Sequence, residues 1–268
     1  MRRRSFVKNM AILCAAGQAG ASALWAAEQD IRATRIPRWR GFNLAGKFAV
    51  PDKPYGGRAV EKFDFATMVE WGFNFARLPL SYWVWGSRDD WSIIREEPLK
   101  EIDRAIELGR QYEIHINVNF HRIPGYCINL GELESADLFS GTKAQRDRAM
   151  DAAVFHWKVF ARRYKGIPNR RLSFDLINEP PRMRSYEGYL EQRYVEIVKT
   201  LVTAIREEDP NRLIFADGMD IGQLAVLGIV DLGLVQSTRG YKPKAVTHYT
   251  ASWVPKGEFE TMNPPLGR

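Results

Sequence analysis

Ile114-His115-Ile116-Asn117-Val118-Asn119-Phe120-His121 alternates apolar and polar residues without a break. In an extended strand successive side chains point to opposite faces. Ile114, Ile116, Val118 and Phe120 therefore share one face, and His115, Asn117, Asn119 and His121 share the other. A doubly wound parallel sheet is covered by helices on both faces and favours near-continuous apolar runs. A barrel turns one face to its helices and the other to its interior and mouth, which suits this alternation better. Ser173-Phe174-Asp175-Leu176-Ile177-Asn178-Glu179 reads the same way, with Asp175 and Glu179 on one side.

Outward from this strand, short apolar runs alternate with amphipathic stretches. Residues 41–44, 73–78, 114–120, 172–177, 212–216 and 234–239 read as strands. Helical periodicity marks residues 63–71, 98–112, 145–164, 189–208 and, more weakly, 222–232. Strand–helix alternation with connections of this length implies parallel strands joined by right-handed crossovers. The expected fold is α/β, a (β/α)8 TIM barrel with about six βα units in this chain. No internal repeat, low-complexity linker or second domain interrupts it.

The first residues read differently. Arg2, Arg3, Arg4 and Lys8 precede an Ala/Leu-rich run from Met10 to Ala27, the pattern of a signal peptide over residues 1–27. Arg3-Arg4-Ser5-Phe6-Val7-Lys8 resembles the twin-arginine export motif, and cleavage after Ala23 or Ala27 is expected. That implies a periplasmic or extracellular protein. Past this segment no apolar run is long enough to span a bilayer. Four of the seven units of net positive charge lie in it, leaving about +3, too little to argue for a nucleic-acid partner. Cys127 is the one cysteine outside it, so no internal disulfide is expected in a mature chain. A core of more than ~200 residues needs none.

In (β/α)8 barrels the active site lies at the C-terminal ends of the strands. Those ends carry Arg77, His121, Asn178 with Glu179, and Arg239 with Tyr241. Each alone is weak evidence; four strands ending in polar groups on one rim form a candidate site. Phe73-Asn74-Phe75-Ala76-Arg77-Leu78-Pro79, Asn119-Phe120-His121 and Phe174-Asp175-Leu176-Ile177-Asn178-Glu179-Pro180 resemble family 5 glycoside hydrolases, the cellulase family. Arg40-Gly41-Phe42-Asn43-Leu44 is similar to that family's first strand. Tyr241-Lys242-Pro243 and Thr247-His248 are similar to its sixth-strand region, so the likeness covers about residues 38–253.

The resemblance implies a retaining β-glycoside hydrolase acting on a β-linked polysaccharide, as a cellulase-like endoglucanase or a related β-glucanase or mannanase. It implies Glu179 as acid/base and Asn178 as the group bonding the sugar 2-hydroxyl. It further implies Arg77 as the residue that positions and charges the nucleophile, His121 as a substrate-binding or network residue, and Tyr241 as a donor to the nucleophile. No cofactor or metal is expected. His115 and His121 lie six residues apart, about 20 Å at strand rise, too far to share an ion.

Two departures from the family pattern stand out. Arg239 occupies a position where the family usually has His, and a guanidinium cannot accept a hydrogen bond, so it should bind substrate or an acidic partner. The nucleophile is not identified. Gly257-Glu258-Phe259-Glu260 echoes the family's seventh-strand motif, but no strand or helix separates it from the sixth-strand loop. The barrel domain, residues 38–268, is therefore expected to be C-terminally incomplete, and a monomer when complete. A catalytically inactive glycan-binding barrel is the alternative. Tyr82, Trp83, Trp85, Trp91 and Trp253 suit sugar stacking on barrel-top loops, with about half of them expected to be packing residues.

Overall fold

The computed structural model describes residues 32–33, 35–47, 59–129, 132, 134–182, 188–251 and 254. Among the described residues six strands run in order: β1 (Gly41–Asn43), β2 (Phe75–Ser81), β3 (His115–Arg122), β4 (Leu172–Asp175), β5 (Ile214–Asp217) and β6 (Val235–Ser237). They form one parallel sheet in sequential order, each strand hydrogen-bonded to the next. Sequential parallel order with a helix in the crossovers is the βα-barrel arrangement, here present as six strands. Between them lie α1 (Lys62–Glu70), α2 (Glu96–Gln111), α3 (Lys143–Arg163) and α4 (Gly188–Glu208), with short turns α5 (Met219–Gly222) and α6 (Lys244–Thr247) near the last strand. Among the described residues no helix is long and apolar enough to cross a membrane.

Alternation on β3 does what its sequence implies. Ile116, Val118 and Phe120 have no exposed surface and face the helices. Phe120 stacks on Trp157 of α3 with ring centroids 3.8 Å apart. On α3, Ala149, Ala153, Trp157, Phe160 and Ala161 follow the i, i+4, i+8 stripe that packs a helix on a sheet. Thr142 starts that helix: its hydroxyl accepts from Gln145 N at 3.3 Å, while Gln145 Oε1 accepts from Thr142 N at 2.8 Å. This reciprocal cap satisfies two otherwise orphaned helix donors.

The other face of β3 fills the interior with polar groups that find partners in register. Asn117 lies beside Ser173 and Asn119 beside Asp175. Asn117 Nδ2 donates to Ser173 Oγ at 2.9 Å, and His115 bonds Ser173 Oγ at 2.7 Å and Arg170 O at 3.0 Å. Trp39 stacks on His115, centroids 3.8 Å apart, closing the floor below the polar layer. Burial pushes the His115 imidazole down to about 3, so it is neutral.

The helix read at residues 222–232 is replaced by a 3-10 turn, Leu227–Leu232, after a kinked α5. Gly222 at φ 83° and Gly233 at φ 59° break the helical path at both ends. All three residues of β1 are exposed, including Phe42 at 40%. The expected signal segment lies outside the described residues.

Candidate active site

Arg77, midway along β2, rises through the interior toward the rim. Its Nε donates to Asp175 Oδ2 at 2.8 Å and its Nη2 to Asn178 Oδ1 at 3.0 Å. The guanidinium therefore clamps the end of β4 and the loop beyond it as one unit, the forked geometry that distinguishes Arg from Lys. It pairs with Asp175, so a simple buried ion pair between Arg77 and Glu179 is not what holds Glu179. Asn178 is 2% exposed, and its Nδ2 has no hydrogen-bond partner among the described residues. A buried amide left without a partner costs about 1–3 kcal/mol, which makes it a donor in want of an acceptor.

Glu179 lies past the end of β4, with backbone φ of 49°. A non-glycine residue there is uncommon, and here two bonds hold it. Its N–H donates to Asp217 Oδ2 at 2.9 Å, and its carbonyl accepts from the Tyr126 hydroxyl at 2.6 Å. The bend turns the carboxylate toward β6, where the Tyr241 hydroxyl donates to Oε1 and Arg239 Nε approaches to 3.9 Å. The Glu179 side chain remains 18% exposed, so it meets solvent at the rim. Burial, then the hydrogen bond and charge of Glu179, push Tyr241 up to about 12, so the phenol keeps its proton.

Arg239 has an acidic partner, one of the two kinds, substrate or acid, that its place in the sequence suggested. Its Nη2 donates to Asp217 Oδ2, and Ser237 donates to the other oxygen of Asp217. His121 sits on the same rim; burial, then Arg77, Arg122 and Arg239, push it down to about 3 and keep it neutral. The structure thus gathers Arg77, His121, Asn178, Glu179, Arg239 and Tyr241 at one end of the sheet. Trp253, Glu258 and Glu260 lie outside the described residues. Among the described residues no three His, Cys, Asp or Glu side chains gather as a metal ion would need.

The aromatic cluster after β2 is packing more than platform. Tyr82 and Trp85 have no exposed surface, and Trp91 has 5%. Trp85 Nε1 donates to His156 Nδ1 at 3.0 Å, which leaves His156 Nε2 to donate to Trp91 O at 2.8 Å. Trp83 is partly buried, with the Arg122 guanidinium 3.7 Å from its ring centroid and its indole N–H on Glu134 Oε1 at 3.2 Å. Asp217, Tyr126 and Ser237 were not expected from the sequence. Asp217 gave one signal, a carboxylate immediately beyond a strand.

Comparison with known proteins agrees with this architecture. A family model described as cellulase, glycosyl hydrolase family 5, matches residues 27–266. Endoglucanase C of Acetivibrio thermocellus is 28% identical over 220 residues, covering 80% of this chain and 60% of the relative. Cellodextrinase A of Ruminococcus flavefaciens is 27% identical over 224 residues, covering 81% and 62%. A solved crystal structure of a glycoside hydrolase superposes with a TM-score of 0.75 at 35% identity, covering 85% of this chain and 67% of that one. The chain thus spans about 60% of the length of the curated relatives it matches. On the strength of that match, and of a rim built from the strand ends it would require, the chain belongs to the cellulase family, glycosyl hydrolase family 5.

Proposed function

We propose that this chain carries the acid/base half of a retaining β-glycosidase site that cuts a β-linked polysaccharide of the glucan or mannan type. One observation carries the reading. A partly exposed carboxylate, Glu179, stands just past β4, accepting from the Tyr241 hydroxyl with Arg239 nearby, beside the unpartnered buried amide of Asn178. Breaking a glycosidic bond near neutral pH needs one carboxyl group to protonate the leaving oxygen and a second to stabilise the oxocarbenium-like transition state. In this reading Glu179 protonates the leaving oxygen and then takes a proton from the attacking water. Asn178 Nδ2 donates to the sugar hydroxyl beside the scissile bond, and Arg77 keeps that amide in place. Relatives named endoglucanase and cellodextrinase support the substrate class.

The second carboxylate should stand about 5–5.5 Å from Glu179, the spacing of retaining enzymes. Asp175 and Asp217 are poor candidates, being 3% and 0% exposed and committed to Arg77 and Arg239. The reading therefore looks for the nucleophile outside the described residues. It also includes export through the twin-arginine route, motivated by Arg3-Arg4-Ser5-Phe6-Val7-Lys8.

The test is to follow the anomeric protons by NMR while the intact natural protein digests soluble β-1,4-glucan and β-mannan. Release of the β anomer first is expected. Release of the α anomer first would refute retention. Binding without hydrolysis would replace the enzyme with an inactive glycan-binding barrel.

A further inference from the structure

Asp217 ends β5 with no exposed surface. Its Oδ2 accepts from the Glu179 N–H and from Arg239 Nη2, its Oδ1 from Ser237, and its backbone carbonyl from the Tyr194 hydroxyl at 2.5 Å. One buried carboxylate thus holds both the main chain of Glu179 and the guanidinium nearest the Glu179 side chain. The turn that follows is strained toward the same end. Asp220, Ile221 and Gly222 take φ of 53°, 55° and 83°. For a β-branched residue such as Ile221 this is an outlier, and such strain persists only where surrounding structure enforces it. Ile221 N donates to Pro180 O at 2.9 Å, and Arg239 N donates to Gly222 O at 2.8 Å. The strained turn therefore braces the residue after Glu179 and the backbone of Arg239.

We propose that Asp217 and Arg239 act as a positioning pair for Glu179, braced by the turn Asp220-Ile221-Gly222, and that proton transfer depends on the pair together. The proposal rests on Glu179 being the acid/base. With Asp217 present, the Arg239 charge is taken up by a partner 0% exposed. Without it, Arg239 has Glu179 as its nearest carboxylate, 3.9 Å away, and an ion pair there favours the ionised form that cannot protonate a leaving oxygen. Without Arg239, Asp217 is a buried charge short of its main partner, and its hold on the Glu179 N–H is disturbed. Tyr241, Tyr126, Asp175, Arg77 and His121 are the other titratable or charged groups around Glu179. Asp217 and Arg239 both act on Asp175 and Tyr241, Arg239 also on His121 and Asp217 also on Tyr126, so a shift is assigned to Glu179 only where Glu179→Gln abolishes it.

The experiment compares Asp217→Asn, Arg239→Gln and the double variant in the intact protein. Aryl β-glycosides with poor and good leaving groups are assayed across pH, and melting temperatures are recorded. Each single variant should lose about 10–100-fold in kcat/KM, which reports the bond-breaking step, on poor leaving groups, the scale of a ~1 Å misplacement, with a smaller loss on good ones. On the poor leaving groups KM should hold, since neither residue is proposed to touch sugar. In Asp217→Asn the basic limb of the pH profile should move about one unit lower, and the double variant should restore it. The double variant should lose no more than the worse single. Losses that multiply, fall equally on both leaving-group classes and leave the limb unmoved would reduce the pair to a structural contact. Should Asp217→Asn fail to fold, Ser237→Ala loosens the same carboxylate and should show the same leaving-group dependence; equal losses would overturn the proposal. Glu179→Gln is the reference. If it lacks leaving-group dependence, the acid assignment falls; if it has that dependence and the pair variants do not, only this proposal falls.

Discussion

Replacing Arg77 by Met should destabilise the fold by an amount set by what it leaves behind. The Arg77 and Asp175 side chains are 13% and 4% exposed, and one oxygen of Asp175 already lacks a hydrogen-bond partner among the described residues. Met fills the aliphatic space but strands a carboxylate in the interior and releases Asn178. Breaking a buried pair from one side costs about 3–5 kcal/mol. For a domain of this size each kcal/mol lowers Tm by about 2–4 °C, so the melt should drop by about 6–20 °C. The sign of the pH dependence also follows. Burial holds Asp175 above the ordinary carboxylate range and Asp217 adds to this, while Arg77 and Arg239 oppose it. A carboxyl whose folded value is raised binds more protons folded than unfolded. Its ionisation therefore costs stability at neutral pH, and the cost is relieved as pH falls through the folded value. Losing Arg77 raises that value further, so the deficit should be largest near pH 7.5 and shrink toward pH 5. Urea unfolding followed by tryptophan fluorescence at both pH values measures it, and contributions common to both proteins cancel in the difference. A deficit below about 1 kcal/mol, or one that grows on acidification, would refute the reasoning.

Other consequences concern histidine, glycine and export. His115 and His156 are pushed by burial to about 3 and about 4. Their stabilisation is present above 6.5 and fades below it as the unfolded chain takes up protons, costing each about 2 kcal/mol at pH 5. Replacing both with Gln should flatten the stability–pH curve between those values; an unchanged slope would contradict neutral burial. Gly222→Ala adds a Cβ 2.6 Å from Arg239 Cγ at a φ of 83°, so it should cost about 1 kcal/mol or more and reduce activity. Equal stability and turnover would mean that the turn can relax. Arg3→Lys with Arg4→Lys should hold precursor in the cytoplasm, and undiminished export would argue against the twin-arginine route.

The barrel could be read from β3 because its two faces solve different problems. Phe120 must meet Trp157, while Asn117 and Asn119 need hydrogen-bonding neighbours on β4, and a period of two records both demands. Asn178, Glu179 and Tyr241 were legible because each lies just beyond a strand. Arg77 was legible because its strand reads as ending at residue 78, whereas β2 runs on to Ser81 and only its long side chain reaches the rim. Asp217 was not: the strand reads as ending at Ala216, and Asp before Gly is also an ordinary turn signal. Its importance lies in partners on β4 and β6, and no local pattern reports a contact across 38 residues with Glu179. Trp85 and Trp91 belong to the half of the loop aromatics expected to be packing, but no local pattern says which half. A tryptophan on a loop looks the same in sequence whether its ring meets sugar or, as here, His156 and the helix face behind it.

The assignment of Glu179 as the acid/base is tested most directly by the leaving-group dependence of Glu179→Gln in the intact protein. Aryl β-glycosides spanning a wide range of phenol acidity are assayed for kcat/KM beside the unaltered enzyme, with folding checked by thermal melting. The account predicts a loss of about 10²–10⁴-fold for poor leaving groups, which need the proton, shrinking steadily as the leaving phenol becomes more acidic. A folded variant that loses the same factor across the whole series would show that Glu179 does not deliver the proton.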